Sequence, residues 1–210
     1  MSHPQLPPID FYGPIHKGLR RELFLTCLQA GAVAVDDSAE VLALAGRVER
    51  LIRFVRSHAG HEETHYHPIL AARLPTVHAR LQAQHAEHEP LLAAVEVARE
   101  SLLLLPTATA AARLYGALNR FAAATLQHTA DEEAAMPMLR EACPRGELAQ
   151  AYGALMATMD PAEKLAGFEL ICAAISPAER DAIVRAANAA ASAAANAAAL
   201  PRVNAGPNAA

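Results

Sequence analysis

The chain has 210 residues, a net charge of -4 with its histidines neutral, and a hydrophobic share of 53%, which suffices for one well-packed domain with an appendage. Aromatic residues make up only 4% and tryptophan is absent, so alanine and leucine, both strong helix formers, supply the apolar content and the expected class is all-α. A pI near 6.2 speaks against the concentrated basic surface of a nucleic-acid-binding protein, and no apolar run is long enough to span a bilayer.

Residues 1–13 contain Pro4, Pro7 and Pro8 and read as an extended lead-in. A first helix is predicted from Pro14 to Gly31, with Pro14 early in it and Ile15, Leu19, Leu23 and Cys27 at helical spacing. Asp36, Asp37 and Ser38 mark a break and a cap. A second, long helix follows from Ser38 to Leu74, and Pro68 should kink it or end its regular part. Pro75 and Thr76 open a third helix to Leu105, and Pro106 and Thr107 separate it from a fourth, Thr107 to Ala142. Pro137 sits late in that fourth helix.

Short connections between these helices imply antiparallel neighbours, an up-down-up-down four-helix bundle over residues 14–142. Shorter helices are expected over 146–158, 161–174 and 177–196, with Asp160-Pro161 and Ser176-Pro177 as start signatures. Residues 143–196 thus form a C-terminal helical extension, and 197–210 close an alanine- and asparagine-rich low-complexity tail.

Cys27, Cys143 and Cys172 are odd in number, and no C-x-x-C occurs. They read as small apolar side chains in a reducing compartment, not as a disulfide framework. The first fifteen residues carry neither a basic region nor the apolar run of a secretory signal, so a cytoplasmic location is expected.

The unusual feature is ten histidines, most of them clustered. In the second helix, SHAGHEETHYH (57–67) places His58 four residues before Glu62. In the fourth, QHTADEE (127–133) repeats the spacing with His128 and Glu132. Four residues is about one helical turn, so each pair shares a face. Both pairs continue the apolar stripes, Leu51 and Val55 on one helix and Leu118, Phe121 and Thr125 on the other. A buried carboxylate is costly unless it is paired or bound to a cation. Two of them facing inward beside imidazoles call for metal ions, and that donor set suits iron, zinc or manganese. The first helix offers His16, and the third offers His85 and His88.

These residues resemble the hemerythrin-like, or HHE cation-binding, domains. In that family a His on the first helix is followed by H-x-x-x-E on the second, a His on the third, and H-x-x-x-E or H-x-x-x-x-D on the fourth. The resemblance covers residues 14–142 and implies His16, His58, Glu62, His88, His128 and Glu132 as metal ligands. His85, His61 and His65 stand as alternates or outer neighbours. The oxygen carriers of the family have H-x-x-x-H on the third helix, and here Gln84 falls on the first of those positions if His88 takes the second. His88 is favoured over His85 because it lies three residues before Leu91.

The implied cofactor is a pair of non-haem iron ions bridged by carboxylates and an oxo or hydroxo group. Two octahedral ions offer about twelve positions, and these donors fill about ten. The open positions would take dioxygen, nitric oxide or peroxide. A ligand-binding or sensing protein is therefore expected, with no nucleic-acid or membrane partner. One alternative is a diiron oxidoreductase of the peroxidase or ferroxidase type. That type uses Glu-x-x-His twice, and the string occurs here at Glu62-Glu63-Thr64-His65 but not on the fourth helix. The other alternative is a metal-free helical interaction module. His67, His78 and His3 read as ordinary exposed residues.

Overall fold

The computed structural model describes residues 10–186 and residue 188. The lead-in before Asp10, with His3, and the C-terminal tail lie outside the described residues. Among those described, all regular structure is helical. The helices are α1 (Gly13–Ala32), α2 (Ser38–His65), α3 (His67–Arg73), α4 (Pro75–Leu104), α5 (Ala108–Ala142), α6 (Arg145–Thr158) and α7 (Pro161–Cys172). By its contacts the chain divides after Ala174, so these seven helices belong to one unit and the helical residues 177–186 to a second.

The helix starts follow local chemistry. Asp10 accepts the backbone N–H groups of Tyr12 and Gly13 just ahead of α1. Asp37 caps α2 through the N–H groups of Ala39 and Glu40, Thr107 caps α5 through Ala110, and Asp160 caps α7 through Glu163. Pro68 divides the long second helix into α2 and α3: a proline has no N–H to donate and its ring crowds the carbonyl four residues back. Pro90 and Pro137, by contrast, are accommodated inside α4 and α5.

Four long helices make the up-down-up-down bundle. α1 packs on α2 and α5, and α4 packs on the same two, while α3 closes one end against α2, α4 and α5. α6 lies on α2 and α7 on α1. Gly18 permits the α1–α7 approach, since a Cβ there would fall 2.7 Å from Cγ of Leu170. Glu163 of α7 also accepts the Ser57 hydroxyl at 2.6 Å, tying it to α2.

Two apolar clusters fill the bundle. The larger includes Leu19, Leu23, Leu51, Val55, Leu92, Leu114, Leu118 and Phe121. The smaller includes Phe11, Tyr12, Tyr66, Leu70, Leu81, Met136 and Leu139. The first-helix stripe is rotated slightly from expectation: His16, Leu19, Leu23, Thr26 and Ala30 are buried, while Ile15 and Cys27 are only partly so. Between the two clusters, at one level of the bundle, lies a layer of polar side chains.

Candidate metal centre

Every long helix contributes to that layer. Along α5, Phe121 belongs to the upper cluster and Met136 to the lower, and His128 and Glu132 fall between them. Along α2, His58 and Glu62 fall between Val55 and Tyr66, and along α4, His85 falls between Leu81 and Leu92. His16 follows Tyr12 by one turn and precedes Leu19. The helical period therefore places all six donors on inward faces at the same height.

His16 and Glu132 are 0% exposed and Glu62 is 1% exposed. Nε2 of His16 lies 3.8 Å from Oε1 of Glu62 and 3.3 Å from Oε2 of Glu132. Nε2 of His58 is 3.1 Å from Oε1 of Glu62. On the other side, Nε2 of His85 is 3.5 Å from Oε2 of Glu62, and Nε2 of His128 is 3.2 Å from Oε1 of Glu132. Two groups emerge, each with donor atoms close enough to share one ion: His16, His58 and Glu62, and then Glu62, His85, His128 and Glu132. Glu62 is common to both.

The outer ring nitrogens are held from behind. Nδ1 of His16 donates to Glu133 at 3.1 Å, and Arg20 donates to the same carboxylate oxygen and to the Thr129 hydroxyl, each at 2.8 Å. Nδ1 of His85 donates to Glu63 at 3.2 Å. Nδ1 of His128 donates to the amide oxygen of Gln84 at 3.0 Å, and the Gln84 amide nitrogen donates to Asp131 at 2.7 Å. Such hydrogen bonds fix ring orientation and leave Nε2 free to bind a metal. On the inner side, Nε2 of His16 and of His58, Oε1 of Glu62 and both oxygens of Glu132 are buried without hydrogen-bond partners. Inner atoms without hydrogen bonds, beside rings held from the outer side, fit bound cations, and a donor set of imidazole and carboxylate without thiolate suits iron as it does zinc or manganese.

Electrostatics agree with a site built for positive charge. Burial would lower the His16 pKa, but Glu132, Glu133 and Glu62 outweigh it and lift it to about 10. Burial would raise Glu62, yet His58, His16 and His85 hold it well below the carboxylate range. Glu132 is likewise lowered, against burial and the charge of Glu62, by His128 and His16. Tyr12 stacks on His16 with ring centroids 5.3 Å apart, and its buried hydroxyl has no partner. Burial, then Glu132 and Glu62, push its phenol well above the ordinary value, so it stays neutral.

The structure brings together five of the residues expected as ligands, namely His16, His58, Glu62, His128 and Glu132. On α4 it brings in His85, and His88 lies to the side against Phe121 and His128. His88 has a pKa lowered to about 4 by burial and by the nearby His128. The buried apolar residue that sets the α4 register is Leu92, seven residues after His85, whereas Leu91 is only partly buried. Gln84 is not a donor to the centre but the group that orients His128. His61 and His65 turn outward to Glu163 and Thr158. Tyr115 is exposed, away from the layer. His67 departs from expectation: it is buried, because the break at Tyr66 resets the helical phase and turns it inward.

A cavity of about 420 Å³ opens between α2 and α4 onto this layer. Its inner wall carries His58, Glu62, His85 and His128, one side is apolar with Leu19, Val55 and Leu92, and exposed Gly60 and Ala86 stand at the mouth.

No curated protein and no solved structure gives a significant match to the chain. The family comparison gives the hemerythrin HHE cation-binding domain over residues 8–103, a segment that carries His16, His58, Glu62 and His85 and ends before α5. Over that segment, a little under half of its length, the chain is similar to the hemerythrin HHE cation-binding domain.

Proposed function

We propose that this protein is a non-haem diiron protein that binds or senses a small ligand, such as dioxygen, nitric oxide or peroxide, in the cavity between α2 and α4. His16, His58 and Glu62 would hold one ion and His85, His128 and Glu132 the other, with the two glutamates shared between them. When bound, iron supplies open coordination positions at which a diatomic ligand or peroxide attaches. The observation that carries the reading is the gathering of these buried imidazole nitrogens and carboxylate oxygens into two groups close enough to share an ion each, with Nδ1 of His16, His85 and His128 already engaged on the outer side.

The chain's own residues do the rest. Leu19, Val55 and Leu92 line the cavity with apolar surface and limit water near the centre, while Thr125 and Thr129 also line it. The same cavity would serve the oxidoreductase alternative equally, because a path to the surface suits turnover as well as reversible binding. The experiment is anaerobic reconstitution with ferrous ion, followed by metal analysis and spectra with azide, nitric oxide or hydrogen peroxide added. Reversible spectral change favours binding or sensing, and consumption of peroxide over many turnovers favours the enzyme. A chain that takes up no iron, with a melting temperature indifferent to chelator, would leave the metal-free interaction module.

A further inference from the structure

His67 stands outside the six-residue set and is not explained by it. It is 3% exposed, and neither ring nitrogen has a hydrogen-bond partner. Buried polar groups nearly always have one, so two orphaned nitrogens on one ring point to an occupant. The ring lies between two other imidazoles. Its centroid is 5.0 Å from that of His85, nearly parallel, and 5.4 Å from that of His78, at right angles. His85 in turn lies 4.6 Å from His128. A file of rings thus leads from half-buried His78 on α4, through His67 at the start of α3, to the centre. With metal–nitrogen bonds of about 2.1 Å, two imidazoles sharing one ion have centroids roughly 5–6 Å apart. The His67–His78 spacing falls in that range.

We propose that His67 and His78 form an uptake site, which takes a divalent first-row metal ion from solvent and passes it to His85. The proposal rests on the dinuclear reading above. Two protein nitrogens, with water in the remaining positions, hold such an ion weakly, while the centre beyond offers more donors and two carboxylates. The gradient in donor number and negative charge draws the ion inward. No electron or proton transfer is required, only exchange of water and imidazole ligands.

The test uses cobalt(II), whose visible absorption reports its ligands, mixed anaerobically with the metal-free full chain. His78→Ala and His67→Phe should slow filling about tenfold or more, with the final cobalt content unchanged. Ala86→Leu, which narrows the α2–α4 cavity, should fill at the wild-type rate. His78→Ala filling at the wild-type rate overturns the proposal. So does Ala86→Leu slowing uptake while the histidine variants do not. His78 is only half buried, so its variant answers the question even if His67→Phe fails to fold. A wild-type chain that takes up no cobalt removes the dinuclear reading and this proposal together. That outcome is distinct from a filled centre reached by another path.

Discussion

His85 and His128 face each other Nε2 to Nε2 at 2.9 Å across the interior of the bundle. Each ring donates its Nδ1–H outward, to Glu63 and to Gln84 respectively. Two neutral rings so arranged would point lone pairs at one another. In a buried setting that arrangement needs either a proton or a metal ion between them. Glu62 and Glu132 lie within 3.5 Å and 3.2 Å of the same nitrogens, so the position is surrounded by donors alone.

The two α4 histidines should therefore behave differently. His85→Ala should remove metal from the end of the centre that it shares with His128, roughly halving the metal per chain. His88→Ala should leave the metal content intact and alter only the spectrum or ligand binding, since its ring touches His128 and Phe121. Metal analysis of the two purified variants checks this. The reverse pattern would make His88 the donor.

The outer hydrogen bonds should matter to affinity without supplying a ligand. Glu133→Ala, which frees Nδ1 of His16 and leaves Arg20 with Thr129 alone, should weaken metal binding about 10–100-fold. Gln84→Ala should do the same through His128. Competition with a chelator measures the effect. Unchanged affinity in both would mean the rings are oriented by packing only.

Metal-free and metal-loaded protein should respond oppositely to pH. The raised His16 pKa, about 10 against an ordinary 6.5, means that its stabilisation is full below pH 6.5 and lost as pH rises through 10. The lowered Glu62 and Glu132 contribute above an ordinary 4.5 and lose their contribution as pH falls. Metal-free stability should thus decline from neutral toward pH 10. Metal needs unprotonated imidazoles, so its binding strengthens over the same range. Thermal unfolding of both forms between pH 6 and 10 should show a widening gap. A constant gap would mean that binding releases no protons.

Gly60 lies within α2, where glycine costs about 1 kcal/mol relative to alanine. An added Cβ there meets nothing within 4 Å, so neither packing nor backbone conformation demands the glycine, and it lines the cavity mouth. Gly60→Leu should raise or preserve helix stability and slow azide binding to the iron-loaded protein several-fold. An unchanged azide rate would place the path of small ligands elsewhere.

Much of this was legible in the residues themselves. The four long helices follow from their caps and prolines, and the two His-x-x-x-Glu pairs reveal their shared layer because a one-turn spacing continues each apolar stripe. Which α4 histidine enters the layer was not legible, since His85 and His88 both lie near the inward face and only the register set by Leu92 separates them. His67 was hidden for a related reason: in an unbroken helix it would face outward, and the phase change at Pro68 is a structural event that spacing alone does not fix. The outer partners Glu63, Glu133 and Gln84 depend on neighbouring helices, which sequence spacing does not reach. The order of α6 and α7 was readable from Asp160-Pro161, but not their seats on α2 and α1, where Gly18 permits close contact with Leu170.

Iron analysis of the anaerobically reconstituted chain, paired with its absorption spectrum before and after azide, tests the dinuclear centre most directly. About two iron atoms per chain and an azide-dependent absorption band are expected. Iron well below about one atom per chain, with a spectrum indifferent to azide, would contradict a centre shared by Glu62 and Glu132.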